Sequence, residues 1–431
     1  MKNFVILIFA LLLCITVFTA YATETTYTGI VSSITVNTAG EHTIILNGVT
    51  IVGDQEEVYN EHGHLIDWKY SPAIDIKSPS TKLTIILKDG TINTLQGTYG
   101  YAGIANNGVD LVIRCESAGE GHECTNSCGK LTSGSGFGAA GIGGNYKQDM
   151  SGSIAIEGGN ITTRGGDCGA GIGGGYGGSM IGNINISGGE VTSTGGSHAT
   201  GMGGGYNSSM IGDISISGGK VTTNGGQLAA AIGSSLKGVL SGNVTISGGN
   251  VTANSGFYSA GIGGGDAGDL TGNITISGGI VNAYGYPWGA GIGGGYHGDF
   301  SGVVTITGGE LTAIALIDYQ GMIGEAIGAG YLGNMTGKIV IDPEQSKLEV
   351  RAGEDQTSAS ILSGSPFSAK TELKTLLAGK HYVKTAPYVP VTEVPKTGDT
   401  TNLMFLTFLT MFSVISMTVI SFRKIKRNRT I

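Results

Sequence analysis

Arginine is almost missing from the body of this chain. Between residues 23 and 393 it occurs only at Arg114, Arg164 and Arg351. Charged residues of either sign make up 13% of the 431 residues, and the formal net charge is −8. So sparse and acidic a surface has no basic face for a phosphate backbone, which argues against a nucleic-acid partner. Proline is scarce too, at 8 residues against 79 glycines, which excludes collagen and proline-rich linkers. Helical periodicity is absent from the middle of the chain, so a helical repeat is excluded there.

What is abundant is repetition, and a fixed period outranks every other signal. From Gly141 a unit of the form G-I-G-G-G-Y-x-G-x-M-x-G-N-I-T-I-S-G-G-x-V-T-x-x-G-G-x-x-x-A recurs every 30 residues, restarting at Gly171, Gly201, Ala231, Gly261 and Gly291. A degenerate unit follows at Ala326-Ile327-Gly328, and an earlier one at Ala102-Gly103-Ile104 precedes its successor by 38 residues. The eight extra residues lie around a cysteine-rich stretch.

Each unit holds three strand-like pieces. The first alternates, as in Ile184 and Ile186 against Asn183, Asn185 and Ser187, which marks a half-buried strand. The second starts at Ile161, Val191, Val221, Val251, Val281 and Leu311, and the third centres on Ile142, Ile172, Met202, Ile232, Ile262 and Ile292. Gly-Gly pairs mark the corners. No unit can bury its own apolar residues, but stacked units place Ile on Ile in one continuous core. The expected fold is all-β: a right-handed parallel β-helix, a solenoid of three-strand coils. At the usual strand spacing, eight to ten coils make a rod of roughly 40–50 Å. A β-propeller is the competing architecture, but its blades need about 40 residues and four strands. Upstream, HTIILNGVTI, AIDI, KLTIILKDGTINTL and VDLVI read as less regular coils, so the solenoid is expected from near Ile30 to near Val350. Residues 368–377 (SAKTELKTLL) read as a short helix N-capped by Ser368 and stopped by Gly379, a candidate cap for the last coil. Residues 381–393 read as a linker.

The two ends carry addresses. Lys2, an apolar run and the Ala20-x-Ala22 pattern form a secretory signal, cut after about Ala22. A lipidated Cys14 fits less well, because Leu13 precedes it. At the other end, Val394-Pro395-Lys396-Thr397-Gly398 precedes an apolar run from Leu403 to Phe422 and then Arg423, Lys424, Lys426, Arg427 and Arg429. A plain membrane anchor needs only the apolar span of about 20 residues and its basic cytoplasmic flank. The order of motif, span and basic tail resembles the LPxTG sorting signal of Gram-positive surface proteins, with Val394 where leucine is usual. The resemblance implies a sortase that attacks the Thr397 carbonyl, expels the chain from Gly398 onward and joins Thr397 to peptidoglycan. The expected organisation is therefore a signal peptide (1–22), irregular coils (23–137), regular coils (138–350), cap and linker (351–393) and sorting signal (394–431). Extracellular, wall-anchored localisation follows.

The stretch LNGVTI…AIDI…DGTINTL…AGI, with the AGIGG units after it, is similar to β-helical carbohydrate-binding domains of clostridial surface proteins over much of residues 40–350. That resemblance implies adhesion to plant-type or other polysaccharide without cleavage. It brings no site residues with it.

Candidate binding residues come from the side chains themselves. The sixth repeat position carries Tyr146, Tyr176, Tyr206, Leu236, Asp266 and Tyr296, with Tyr331 in the last unit. Stacked, these tyrosines form an aromatic stripe suited to sugar rings, or equally one that stabilises the corners of the solenoid. Tyr258 and Trp288 share the twenty-eighth position and are assigned to another face. The loop over residues 53–71 gathers Asp54, Glu56, Glu57, Glu61, His62, His64 and Asp67 beside Trp68 and Tyr70. It admits a sugar, or a calcium ion that binds an acidic sugar, or is simply a solvated insertion. No other cofactor is implied. A threonine ladder (Thr162, Thr192, Thr222, Thr252, Thr312) recurs on one face, as on ice-binding solenoids and on any exposed strand. Cys115, Cys124, Cys128 and Cys168 in an exported protein suggest disulfides, while Cys115, His122, Cys124 and Cys128 also suit zinc. Carboxylates are scattered, and Asp269 over Asp299 is the one stacked pair singled out, so a polysaccharide lyase or glycosidase is the lesser expectation and a structural or host-contact adhesin the main rival.

Overall fold

The computed structural model describes residues 23–62, 64–77, 80–119, 124–317, 322–344 and 347–389. The segments read as a signal peptide (1–22) and a sorting signal (394–431) lie outside the described residues. Among the described residues no helix is long and apolar enough to cross a membrane.

The chain winds as a parallel β-helix. Its first two strand types pair within a 23-stranded sheet, and its third builds a 10-stranded sheet with one strand per coil, from Ile34–Val36 through Ile142–Gly143 to Ile327–Gly328. Ten coils are therefore stacked. The 30-residue period becomes spatial register without a slip: Ile154 pairs with Ile184, Ile184 with Ile214, and Val191 with Val221. The alternation of the first strand has the meaning expected of it, since Ile184 and Ile186 are buried while Asn185 is exposed. Full burial of each such isoleucine contributes about 1.5–3 kcal/mol, and no coil achieves it without its neighbours.

A fourth ladder was not foreseen. Single bridges join Met150, Met180, Met210 and Leu240, and then Leu270, Phe300 and Met335, and all but Met335 are fully buried. Flexible methionines suit this corner, where only one residue per coil faces inward.

Glycine has one strict role at the third-strand corner. Gly203 has φ +132 and a Cβ built there lies 2.0 Å from the Gly233 carbonyl oxygen. The same approach recurs at Gly173, Gly233 and Gly263. The backbones of successive coils are thus in contact where other residues would hold them apart.

The ends differ from expectation. The first strand begins at Thr23 and pairs in parallel with Gly40–Val52, a single strand that bonds both Ser80–Leu87 and Ile92–Gln96. At the far end the parallel ladders stop at Lys338–Ile341 and Glu310–Ala315. The cap is a sheet, not a helix. Tyr382–Pro387, assigned to a linker, inserts antiparallel between Glu310–Ala315 and Leu348–Gly353, and Thr371–Glu372 pairs antiparallel with Val340 and Ile341. The helix shrinks to one turn, Lys374–Leu377, with no side-chain N-cap. Tyr382, Val383 and Thr385 are buried, so the strand satisfies both the open ladder and the core beneath it.

Gly233→Ala, whose Cβ would sit 2.0 Å from the Gly263 carbonyl oxygen, is expected to lower the denaturant midpoint sharply, by more than about 2 kcal/mol in stability. Gly90→Ala has φ +73 but nothing within 4 Å, and should cost only the left-handed penalty of about 1–2 kcal/mol. Equal midpoints for the two variants would contradict the backbone-contact account.

Candidate ligand-binding face

The sixth repeat position follows the Gly-rich third strand, at a corner that turns outward. There the Tyr146 amide donates to the Gly100 carbonyl at 2.8 Å, Tyr176 to Gly138 at 2.7 Å, Tyr206 to Cys168 at 2.9 Å and Tyr296 to Tyr258 at 2.8 Å. Each bond ties a sixth-position residue to the twenty-eighth position of the preceding coil. The two columns are therefore neighbours, and Tyr258 and Trp288 belong to the tyrosine face, not to another one. Trp288 lies 4.6 Å from Tyr296 and 4.8 Å from Tyr258, centroid to centroid. Position twenty-eight is left-handed at Cys168, Leu228, Tyr258 and Trp288, with φ +64 at Tyr258 and +80 at Trp288.

The rings form two patches. In the first, Trp68, Tyr70, Tyr99, Phe137, Tyr146, Tyr176 and Tyr206 follow one another with centroids 5.2–6.5 Å apart. Tyr146 and Tyr176 are stacked at 5.2 Å and 18°, and Tyr99 and Phe137 at 5.4 Å and 10°. His198 flanks Tyr206 at 5.4 Å, and the Lys147 ammonium sits 5.2 Å from the Tyr146 centroid. In the second, Tyr258, Trp288, Tyr296 and Tyr331 converge, with Tyr296 and Tyr331 stacked at 6.4 Å and 9°. Leu228, Leu236 and Asp266 occupy the same columns between the patches. None of the ladder tyrosines enters the core: Tyr146, Tyr176, Tyr206, Tyr296 and Tyr331 are half-buried, with their edges at the surface. Tyr99 and Phe137, 57% and 39% exposed, were missed from the sequence. Their signal was positional, since Tyr99, Phe137 and Phe257 each stand five residues before the third-strand isoleucine.

The acidic loop is a β-hairpin, Gln55–Tyr59 against Leu65–Tyr70, rather than an irregular insertion. Pairing sends successive side chains to opposite faces, so Glu56 and Glu57 diverge. Asp54 accepts from Ser33 and Glu57 from Tyr59. Among the described residues no three of the loop's carboxylates and histidines come together as a potential metal-ligand group. Its aromatics do participate, because Tyr70 rests 5.7 Å from Tyr99 and carries the strip onto the hairpin.

The outward carboxylates of the coils serve as rungs. Asp213 accepts the Asn243 amide at 2.7 Å, Asp269 that of Asp299 at 2.8 Å, and Asp299 that of Asn334 at 2.8 Å. Stacked Asp269 and Asp299 are thus joined by side-chain-to-backbone bonds along the axis.

Among the described residues no disulfide joins Cys115, Cys124, Cys128 and Cys168. Cys115, Cys124 and Cys128 bring their sulfurs within 4.8 Å of one another, whereas Cys168 stands with Asp167 and His198 at the aromatic corner. The Cys115 and Cys124 sulfurs are 4.0 Å apart, about twice the length of a disulfide bond. His122 lies outside the described residues.

The beta helix repeat model matches residues 154–176, 184–206, 214–236, 244–266 and 274–296. Each match runs from the first strand to the sixth-position residue of the next unit, most of one turn. No curated protein and no solved structure matches the chain.

Asp266 replaces a tyrosine in the column, and burial pushes its carboxyl above the usual range, against the opposing pull of His297, the Ala267 amide and Lys237. A raised folded-state value means that the charged form costs stability, and that the cost is relieved as pH falls through that value. Asp266→Asn should therefore be more stable than wild type at pH 7, with the difference shrinking on acidification towards pH 4. Denaturant midpoints at the two pH values check this, and a constant difference would contradict it.

Proposed function

We propose that this protein is an exported, wall-anchored, non-catalytic adhesin that holds polysaccharide on its aromatic face. One observation carries the reading: the continuous strip from Trp68 to Tyr206, whose neighbouring ring centroids are 5.2–6.5 Å apart. A polysaccharide presents C–H and O–H groups along its length, and a row of half-exposed rings at strand spacing matches a linear polymer better than a small solute. Lys147 adds a cation beside the Tyr146 ring of this strip. Repeated weak contacts along one polymer add by avidity. The carboxylates support a non-catalytic role, because Asp213, Asp269 and Asp299 are engaged by backbone amides of the next coil. A retaining or inverting glycosidase instead needs two carboxyl groups flanking one bond.

The second reading is a structural adhesin in which the rings only brace the corners. Tyr146 and Tyr176 stack closely enough to contribute to that, about 0.5–1.5 kcal/mol per pair. Retention of the protein on insoluble polysaccharides separates the two. The triple variant Tyr146→Ala, Tyr176→Ala, Tyr206→Ala should lose retention at least about 10-fold while remaining folded. No retention of the wild type on any of a broad glycan panel, or equal retention of the variant, would sink the binding reading.

Anchoring rests on residues 394–398 and the segment after them. Thr397→Ala keeps the backbone carbonyl but removes the threonine side chain by which a sortase would recognise the bond to be cleaved. The variant should stay with the membrane fraction, and wild type should be released by wall-digesting enzymes. Release of both alike would contradict sortase anchoring.

A further inference from the structure

In the regular coils three residues, such as 187–189, turn the first strand into the second. In the coil that begins with Asp110–Cys115 the same corner is enlarged to residues 116–129 before Lys130–Gly134 resumes the ladder. The enlargement has a definite product. It carries Cys124 and Cys128 back over the end of the strand that holds Cys115, so that three sulfurs from one corner meet within 4.8 Å.

Three features of this meeting point go beyond packing. The first is spacing. Thiolates about 2.3 Å from one metal ion stand roughly 3.8–4.0 Å from each other in tetrahedral or trigonal geometry, and Cys115 and Cys124 are 4.0 Å apart. The second is donor direction. The Gly159 amide points at the Cys124 sulfur at 2.9 Å, and the Thr125 amide at the Cys128 sulfur at 3.3 Å. Backbone N–H groups aimed at sulfur stabilise a thiolate and orient a ligand. Gly159 supplies its amide at close range because it is a glycine with φ +100 at the neighbouring corner. The third is access. Cys124 is partly exposed and lines the end of a groove formed by Gly188, Gly189, Gly218 and Gly219, which gives an ion a way in. Odd number also matters, since a single disulfide among three thiols leaves one behind.

We propose that Cys115, Cys124 and Cys128 form a three-thiolate site for a thiophilic closed-shell metal ion, Cu(I) or Zn(II), that clamps the enlarged corner onto the coil. Soft sulfur ligands select these ions over calcium or magnesium. Cu(I) is satisfied by three thiolates, whereas Zn(II) takes a fourth ligand, from solvent in this arrangement. Binding displaces the thiol protons to the buffer. Burial favours the protonated form of the Cys115 and Cys124 thiols, with Cys124 pushed up to about 12, so the ion must supply the charge that deprotonates them.

The test uses the full chain, reduced and kept anaerobic, titrated with Cu(I) and separately with Zn(II) against a competing chelator. One ion per chain is expected, with sulfur-to-copper absorption in the near ultraviolet for Cu(I). A Co(II) probe should show sulfur charge-transfer bands that Zn(II) abolishes. Cys124→Ser, at the partly exposed ligand, should weaken binding at least about 100-fold without unfolding the protein. Cys168→Ser should bind as wild type does. Tighter binding of one ion identifies it. Unchanged affinity in Cys124→Ser, or no binding above a chelator-limited background, would overturn the proposal. So would protein recovered from the cell exterior two hydrogens lighter, with a stable disulfide inside the trio.

Discussion

Backbone contact at the glycine corners is the constraint on which everything else depends. Where Gly203 meets Gly233 there is no space for a Cβ, so successive coils close to strand spacing at that point. Once they do, every position in a coil lies over the same position in the next. Isoleucine then buries isoleucine, and threonine or asparagine lies over its own kind on the outside. The aromatic face inherits this rule. Tyr146, Tyr176 and Tyr206 need no dedicated loop to hold them in line, because the register that builds the core builds the strip as well.

The fold was legible because period and alternation are independent signals that agree. The 30-residue repeat demanded stacking, and Ile184 and Ile186 against Asn185 demanded strands. What escaped notice had no period to reveal it. Met180 and its counterparts recur at a fixed position but act singly, without the alternating neighbour that marks a strand. The closing strand Tyr382–Pro387 occurs once, and its Tyr-Val-Lys-Thr run was masked by a helix-like segment just before it. That segment forms only one turn, since Thr371 and Glu372 are taken by the open ladder at Val340 and Ile341. Tertiary demand for hydrogen-bond partners there outweighed local helix preference.

The candidate site was half legible. The sixth-position tyrosines were found by counting, but their link to position twenty-eight was not, because it is a backbone bond between coils at a left-handed residue. Nothing in a linear unit says that residues so far apart in it share a corner. The acidic hairpin misled in the opposite direction. Its carboxylates cluster in sequence, yet strand pairing turns neighbours to opposite faces, while Tyr70 joins the rings. The cysteines illustrate the same point, since C-x8-C-x3-C converges while Cys168, one coil on, does not.

The closing sheet has a mechanical side. Tyr382–Pro387 is the final strand of the described chain before the segment proposed to anchor the protein, and it is hydrogen-bonded along both edges. Tension entering from the C-terminal side loads this strand before any coil. Both ladders must rupture together before the last coil is uncovered, so the strand is a clasp that shields the stacked core from a tug on its tether.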